Sequence, residues 1–125
     1  MSDKEWQEFC QKVLAYWWRK AFSVYGKRLK ACPVIRVSKR MTSAAGYAYY
    51  ERNEIAISHS LLRAFPTDFR DDTIPHELAH IIAYQLTGYG GNKGESHGKE
   101  WQDVCIAITG KRLNRCHNYF SMERA

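Results

Sequence analysis

Apolar side chains at Trp6, Phe9, Cys10, Val13, Leu14, Trp17, Ala21 and Phe22 recur every three or four residues. That is the period of a helix with one buried face. Ser2 stands three residues before Glu5, the spacing of a capping box, and Gly26 supplies a stop. The aromatics of this first helix read as a core-facing stripe rather than a platform for stacked bases, with Trp18 open to exposure. After Pro33 the period changes. Val34–Ser38 is β-branched and partly alternating, and residues 46–52 and Glu54–Ser58 form two extended runs separated by a turn near Arg52 and Asn53. These predict a small antiparallel element, followed by a short helix over 58–65 that stops before Pro66.

The next helical segment differs in kind. Asp71 or Asp72 is expected to cap it, Pro75 falls in its first turn, and Gly88 ends it. Ile74, Leu78, Ile81 and Leu86 share one side, while His76, His80, Ala83, Tyr84 and Thr87 share another, so the histidines stand apart from the apolar stripe. Residues 88–96 hold four of the eight glycines and read as a loop. A last helix carries Trp101, Val104, Cys105 and Ile108 and ends at Gly110.

Histidines segregated from an apolar stripe invite a chemical reading. His76-Glu77-Leu78-Ala79-His80 is HExxH. In a helix the residues i and i+4 stack on one face, so both imidazoles can reach one Zn²⁺ at about 2.0–2.1 Å with the glutamate beside it. Such an ion acidifies a bound water and polarises a carbonyl, and Glu77 can take the water's proton and pass it to a leaving amine. A catalytic site needs a third protein donor. Position 86 is Leu, so the short metzincin spacing is absent. His97 and Glu100 both lie near the start of the last helix, and Glu95 lies in the loop before it. On chemistry alone the third donor is His97 or Glu100, with His97 favoured, and Trp101 would anchor the last helix against the histidine-bearing one.

Length and composition narrow the setting. The chain has 125 residues, 45% hydrophobic and 26% charged, which suits one globular domain over 1–125 and argues against disorder. No apolar run approaches the ~20 residues of a membrane span, and the first residues lack the basic start and apolar run of a secretory signal. Cys10, Cys32, Cys105 and Cys116 form no CxxC pair, so reduced, packed thiols and an intracellular, cytoplasmic setting are expected, or a nuclear one in a eukaryote. The net charge of +6 is uneven. Lys27, Arg28, Lys30, Arg36, Lys39 and Arg40 crowd residues 27–40 without an acid, and Lys111, Arg112 and Arg115 follow the last helix. These flanks are candidate phosphate contacts, with a plain solvated face as the ordinary alternative. Tyr47, Tyr49, Tyr50 and Trp18 are further candidates for stacking on bases of a single strand, with sheet packing the commoner role.

The runs DTIPHELAHIIAYQLTGYG and ESHGKEWQDVC, with GYAYYERNEIAISHSLL upstream, resemble SprT-like zinc metallopeptidases, the group of bacterial SprT and the Spartan-type proteases of DNA–protein crosslink repair. The resemblance covers roughly residues 30–118. It implies a compact zincin-like α+β domain, a minimal metalloprotease with an N-terminal helix, a small three-stranded sheet, an HExxH helix and a supporting helix. It also implies Zn²⁺ held by His76, His80 and His97, with Glu77 catalytic. Peptide-bond hydrolysis follows by analogy, in Spartan-type members dependent on DNA. Many relatives continue into a zinc ribbon with paired cysteines, which this sequence lacks, so DNA recognition would fall to the catalytic domain's basic flanks or to a partner. His117 is expected at the surface or behind the site. The expectation is a monomeric zinc endopeptidase acting on DNA-bound or DNA-crosslinked proteins. The alternative is a DNA-binding or adaptor module whose zinc is mainly structural, and a zinc hydrolase of non-peptide amides ranks last.

Overall fold

A computed structural model describes residues 1–89 and 97–114. Arg115, Cys116, His117 and Glu95, together with the rest of the 90–96 loop, lie outside the described residues. The elements in chain order are α1 (Asp3–Tyr25), β1 (Val34–Ser38), β2 (Gly46–Tyr49), β3 (Glu54–Ser58), α2 (His59–Ala64), α3 (Pro66–Asp68), α4 (Ile74–Thr87) and α5 (Lys99–Thr109). The protein is α+β, with one three-stranded mixed sheet.

The capping box at the start of α1 forms in full: the Glu5 amide donates to Ser2 Oγ at 3.1 Å and the Ser2 amide donates to Glu5 Oε1 at 2.9 Å. Trp6, Cys10, Val13, Leu14 and Ala21 are buried along its stripe. Two positions differ from expectation. Phe22 is 51% exposed, and Trp18 is partly buried against the core. Ala21 is completely buried, so the buried side reaches the last turns of α1 and Phe22 lies beside it facing outward.

The sheet order is β1-β3-β2. β2 and β3 pair antiparallel across the expected turn, Gly46 opposite Ile57 and Tyr49 opposite Glu54. That turn is wider than the sequence suggests, since β2 ends at Tyr49 and Asn53 takes a positive φ of 51°. β1 lies parallel to β3 on the other side. Its outer edge is met by a side chain: Gln7 of α1 donates to the Ile35 carbonyl at 2.6 Å and accepts from the Val37 amide at 3.0 Å.

Ser58 ends the sheet and caps α2, accepting from the Leu61 amide. The expected cap of α4 by Asp71 or Asp72 does not occur. The chain enters α4 already helical, through α3 and a π-helical turn over Phe69–Thr73, and Thr73 has helical dihedrals with no side-chain cap. Asp71 is instead held by Arg70, whose guanidinium donates to both carboxylate oxygens at 2.8 and 3.0 Å. Gly88, with φ 84°, closes α4 as expected.

Every residue of α4 from Ile74 to Ala83 is buried. It packs against α1, α5 and β2. Gln85 ties its last turns to the loop before β1, accepting from the Lys30 amide and donating to the Ala31 carbonyl, both at 2.8 Å.

Candidate metal centre

Helical geometry alone brings two of the candidate donors together. His76 and His80 lie one turn apart on α4, with ring centroids 5.1 Å apart. His97 arrives from the other side, immediately before Gly98 at the N-cap of α5. Its ring centroid lies 5.3 Å from His76 and 4.7 Å from His80. Gln102 holds the backbone there, its amide donating to the Gly98 carbonyl and its side chain to the His97 carbonyl.

Trp101 organises this meeting. It is completely buried, its indole N–H donates to the His76 carbonyl at 3.1 Å, and its ring lies within 5.3 Å, centroid to centroid, of all three imidazoles. It stacks nearly flat on His80, with 21° between the planes, and meets His76 and His97 edge-on. The core-anchor role read from the sequence is therefore joined by direct contact with the histidines.

One donor atom from each of His76, His80 and His97 lies within 4.8 Å of the others. Donors bound to one tetrahedral ion at 2.0–2.1 Å are about 3.4 Å apart, so small ring rotations close this set onto an ion. Imidazole donors suit Zn²⁺ and also Cu, Fe and Ni. Among the described residues this is the one such group, and Glu100 on the first turn of α5 does not belong to it.

Glu77 is 5% exposed, and its Oε2 lies 3.8 Å from His76 Nε2. Its negative field reaches two neighbours. The Tyr50 hydroxyl is held above its ordinary pKa by burial, then by Glu77 and Tyr47. The Cys105 thiol, behind the site, is raised by burial, then by Asp72 and Glu77. Tyr50 stacks on Tyr84 of α4, with centroids 5.3 Å apart and planes 17° apart.

A cleft of about 690 Å³ opens over these groups, lined by residues 46–52 with His76, Glu77, His80 and His97. The tyrosines read from the sequence as sheet-packing or base-stacking residues thus form a wall of the cleft. Two of its features escaped the sequence reading, Arg52 and Gly46. The Arg52 guanidinium sits 4.0 Å from the Tyr49 ring centroid and pairs with Glu54 at 3.1 Å. Arg52 and Gly46 both line the same cleft as the three histidines.

None of the described candidate phosphate contacts lines the cleft. Arg36 pairs with Glu54 at 3.6 Å and Lys39 with Asp3 at 2.6 Å. Lys27, Arg28, Lys30, Arg40, Lys111 and Arg112 are exposed, and Lys111 contributes to the field on Asp71.

Two imidazoles from α4 and a third from the turn before α5, with a buried carboxylate alongside, make this an α+β protein with a candidate metal centre. The model of the SprT-like family matches residues 7–120, nearly the whole chain, and the chain belongs to that family. It is 40% identical over 76 residues to Protein SprT of Vibrio parahaemolyticus, covering 61% of this chain and 44% of that protein. It is 47% identical over 64 residues to Protein SprT of Actinobacillus succinogenes, covering 51% and 35%. With Protein SprT of Pseudomonas syringae pv. syringae the identity is 35% over 99 residues, covering 79% and 58%. The chain therefore spans about half the length of the curated relatives it matches. No solved structure matches it.

Proposed function

We propose that this protein is a zinc-dependent endopeptidase of SprT type with a zincin-like arrangement, folded as a single intracellular domain and cleaving DNA-bound or DNA-crosslinked proteins. The observation that carries the reading is the placement of Glu77. Its carboxylate lies 3.8 Å from a nitrogen of His76, within a set of three imidazoles that face a cleft large enough for an extended peptide. His76, His80 and His97 would hold the ion. When bound, the ion lowers the pKa of a coordinated water and polarises the substrate carbonyl. Glu77 accepts a proton from the attacking water and returns it to the leaving amine, as its place beside His76 in the cleft lining allows. Trp101 fixes the helix backbone at His76, and Tyr47, Tyr49 and Tyr50 wall the cleft where the peptide would lie. A glutamate beside three ligands favours catalysis over a purely structural ion, which usually has four closed ligands.

DNA would be held on the exposed cations of 27–40 and on Lys111 and Arg112, with Arg115 extending the set, away from Glu77. Glu77→Gln is expected to retain zinc and to lose about 10²- to 10⁴-fold in the rate of cleavage of a histone on single-stranded DNA. An unchanged rate would remove Glu77 from the mechanism. Absence of fragments from the wild-type protein, with and without DNA, would leave the adaptor reading in its place. Binding to DNA that is insensitive to moderate salt would argue against phosphate contacts by these cations.

A further inference from the structure

Gly46 opens β2 at the point where the strand crosses Glu77. Its φ is not positive, so the backbone there is open to any residue. What the position lacks is room. A Cβ built on Gly46 would lie 3.0 Å from Glu77 Cγ, 3.3 Å from Ile57 Cδ1 and 3.4 Å from the Ala56 carbonyl oxygen. The three neighbours are unequal in their freedom to give way. Ala56 belongs to β3, the central strand, paired on both sides. Ile57 is completely buried and stands opposite Gly46 in the ladder. β2 itself is pinned at its start, where the Ser58 amide donates to the Ala45 carbonyl at 2.8 Å. The methylene stem of Glu77 is left as the part that moves.

We infer that Gly46 is a positioning residue for Glu77: its bare α-carbon is the surface against which the glutamate stem rests, and so sets where the carboxylate stands relative to the three histidines. The inference rests on Glu77 being the proton acceptor. A general base must lie within hydrogen-bond reach of the proton it takes, and a misplacement of about 1 Å can cost about 10²-fold in rate. A methyl group at 46 therefore acts on catalysis through Glu77 while touching no ligand.

The test is Gly46→Ala in the full chain, loaded with zinc, beside the Glu77→Gln control. Zinc content should remain one per chain and the thermal midpoint should stay near that of wild type. For a histone on single-stranded DNA, kcat should fall about tenfold to a hundredfold with KM within about twofold. The double variant Gly46→Ala/Ile57→Val, which trims the other side chain that crowds position 46, should recover part of that loss, while Ile57→Val alone should not exceed wild type. A crystal structure of Gly46→Ala should show the Glu77 side chain displaced with the three imidazoles superposed on wild type. This last readout needs no activity, so it separates failure of this inference from failure of the peptidase reading. Glu77 unmoved with β2 shifted instead, kcat unchanged, or a loss explained by lost zinc or lost folding would each overturn the positioning role.

Discussion

The indole N–H of Trp101 donates to the backbone carbonyl of His76 at 3.1 Å, so the residue that anchors α5 also fixes the helical turn bearing the first histidine. Trp101→Phe keeps most of the ring and deletes this bond to a buried carbonyl. The carbonyl keeps its place in the α4 ladder, so loss of the indole bond should lower stability by about 0.5–1.5 kcal/mol. Trp101→Ala adds a cavity and should cost about 3–5 kcal/mol. Urea denaturation measures both. Because the ring touches all three imidazoles, competition with a zinc-binding dye should show weaker metal affinity in both variants, more so in Trp101→Ala.

Two donors rise from α4 and the third precedes α5, so an ion held by all three joins the two helices. Zinc should therefore raise the thermal midpoint, free metal at a hundredfold over Kd adding about 2.7 kcal/mol, and a chelator should reverse the gain. His97→Ala should abolish the zinc-dependent shift, and Glu100→Ala should keep it. Elemental analysis of the two variants gives the same comparison independently.

A pH effect follows from the first turn of α1. The Asp3 carboxyl is held below its ordinary value of 3.8, chiefly by its hydrogen bond to Lys39, with His59 adding to the same direction. A lowered folded-state value contributes stability that is present above the unfolded value and disappears as pH falls through the folded one. Asp3→Asn should thus be less stable than wild type at neutral pH and equal to it well below 3.8. The pair is exposed, so added salt should shrink the neutral-pH difference. Thermal melts across pH at two ionic strengths check both statements.

The helices and the candidate donors were legible in the sequence because each rests on local periodicity. His76 and His80 are one helical turn apart by construction, and Gly26, Gly88 and Gly110 end their helices as expected. The entry into α4 is not legible, because Asp71 and Asp72 have the look of caps, whereas the segment from Pro66 onward is already helical and Arg70 takes Asp71. Phe22 keeps the apolar period and is nevertheless exposed, while Ala21 beside it is buried, because the period does not say how wide the buried side is. Pairing was hidden for another reason. That β1 joins β3, and that β2 thereby runs beside α4, depends on contacts between residues distant in sequence, so the closeness of Gly46 to Glu77 left no local trace.

Gln7 has a consequence for self-association. By answering one carbonyl and one amide of β1 with a side-chain amide, α1 stands where a fourth strand would otherwise add. An unanswered margin of that length is a template for a second chain and a route to aggregation. Here a glutamine side chain answers it, beside the exposed charge of Arg36 that β1 itself carries.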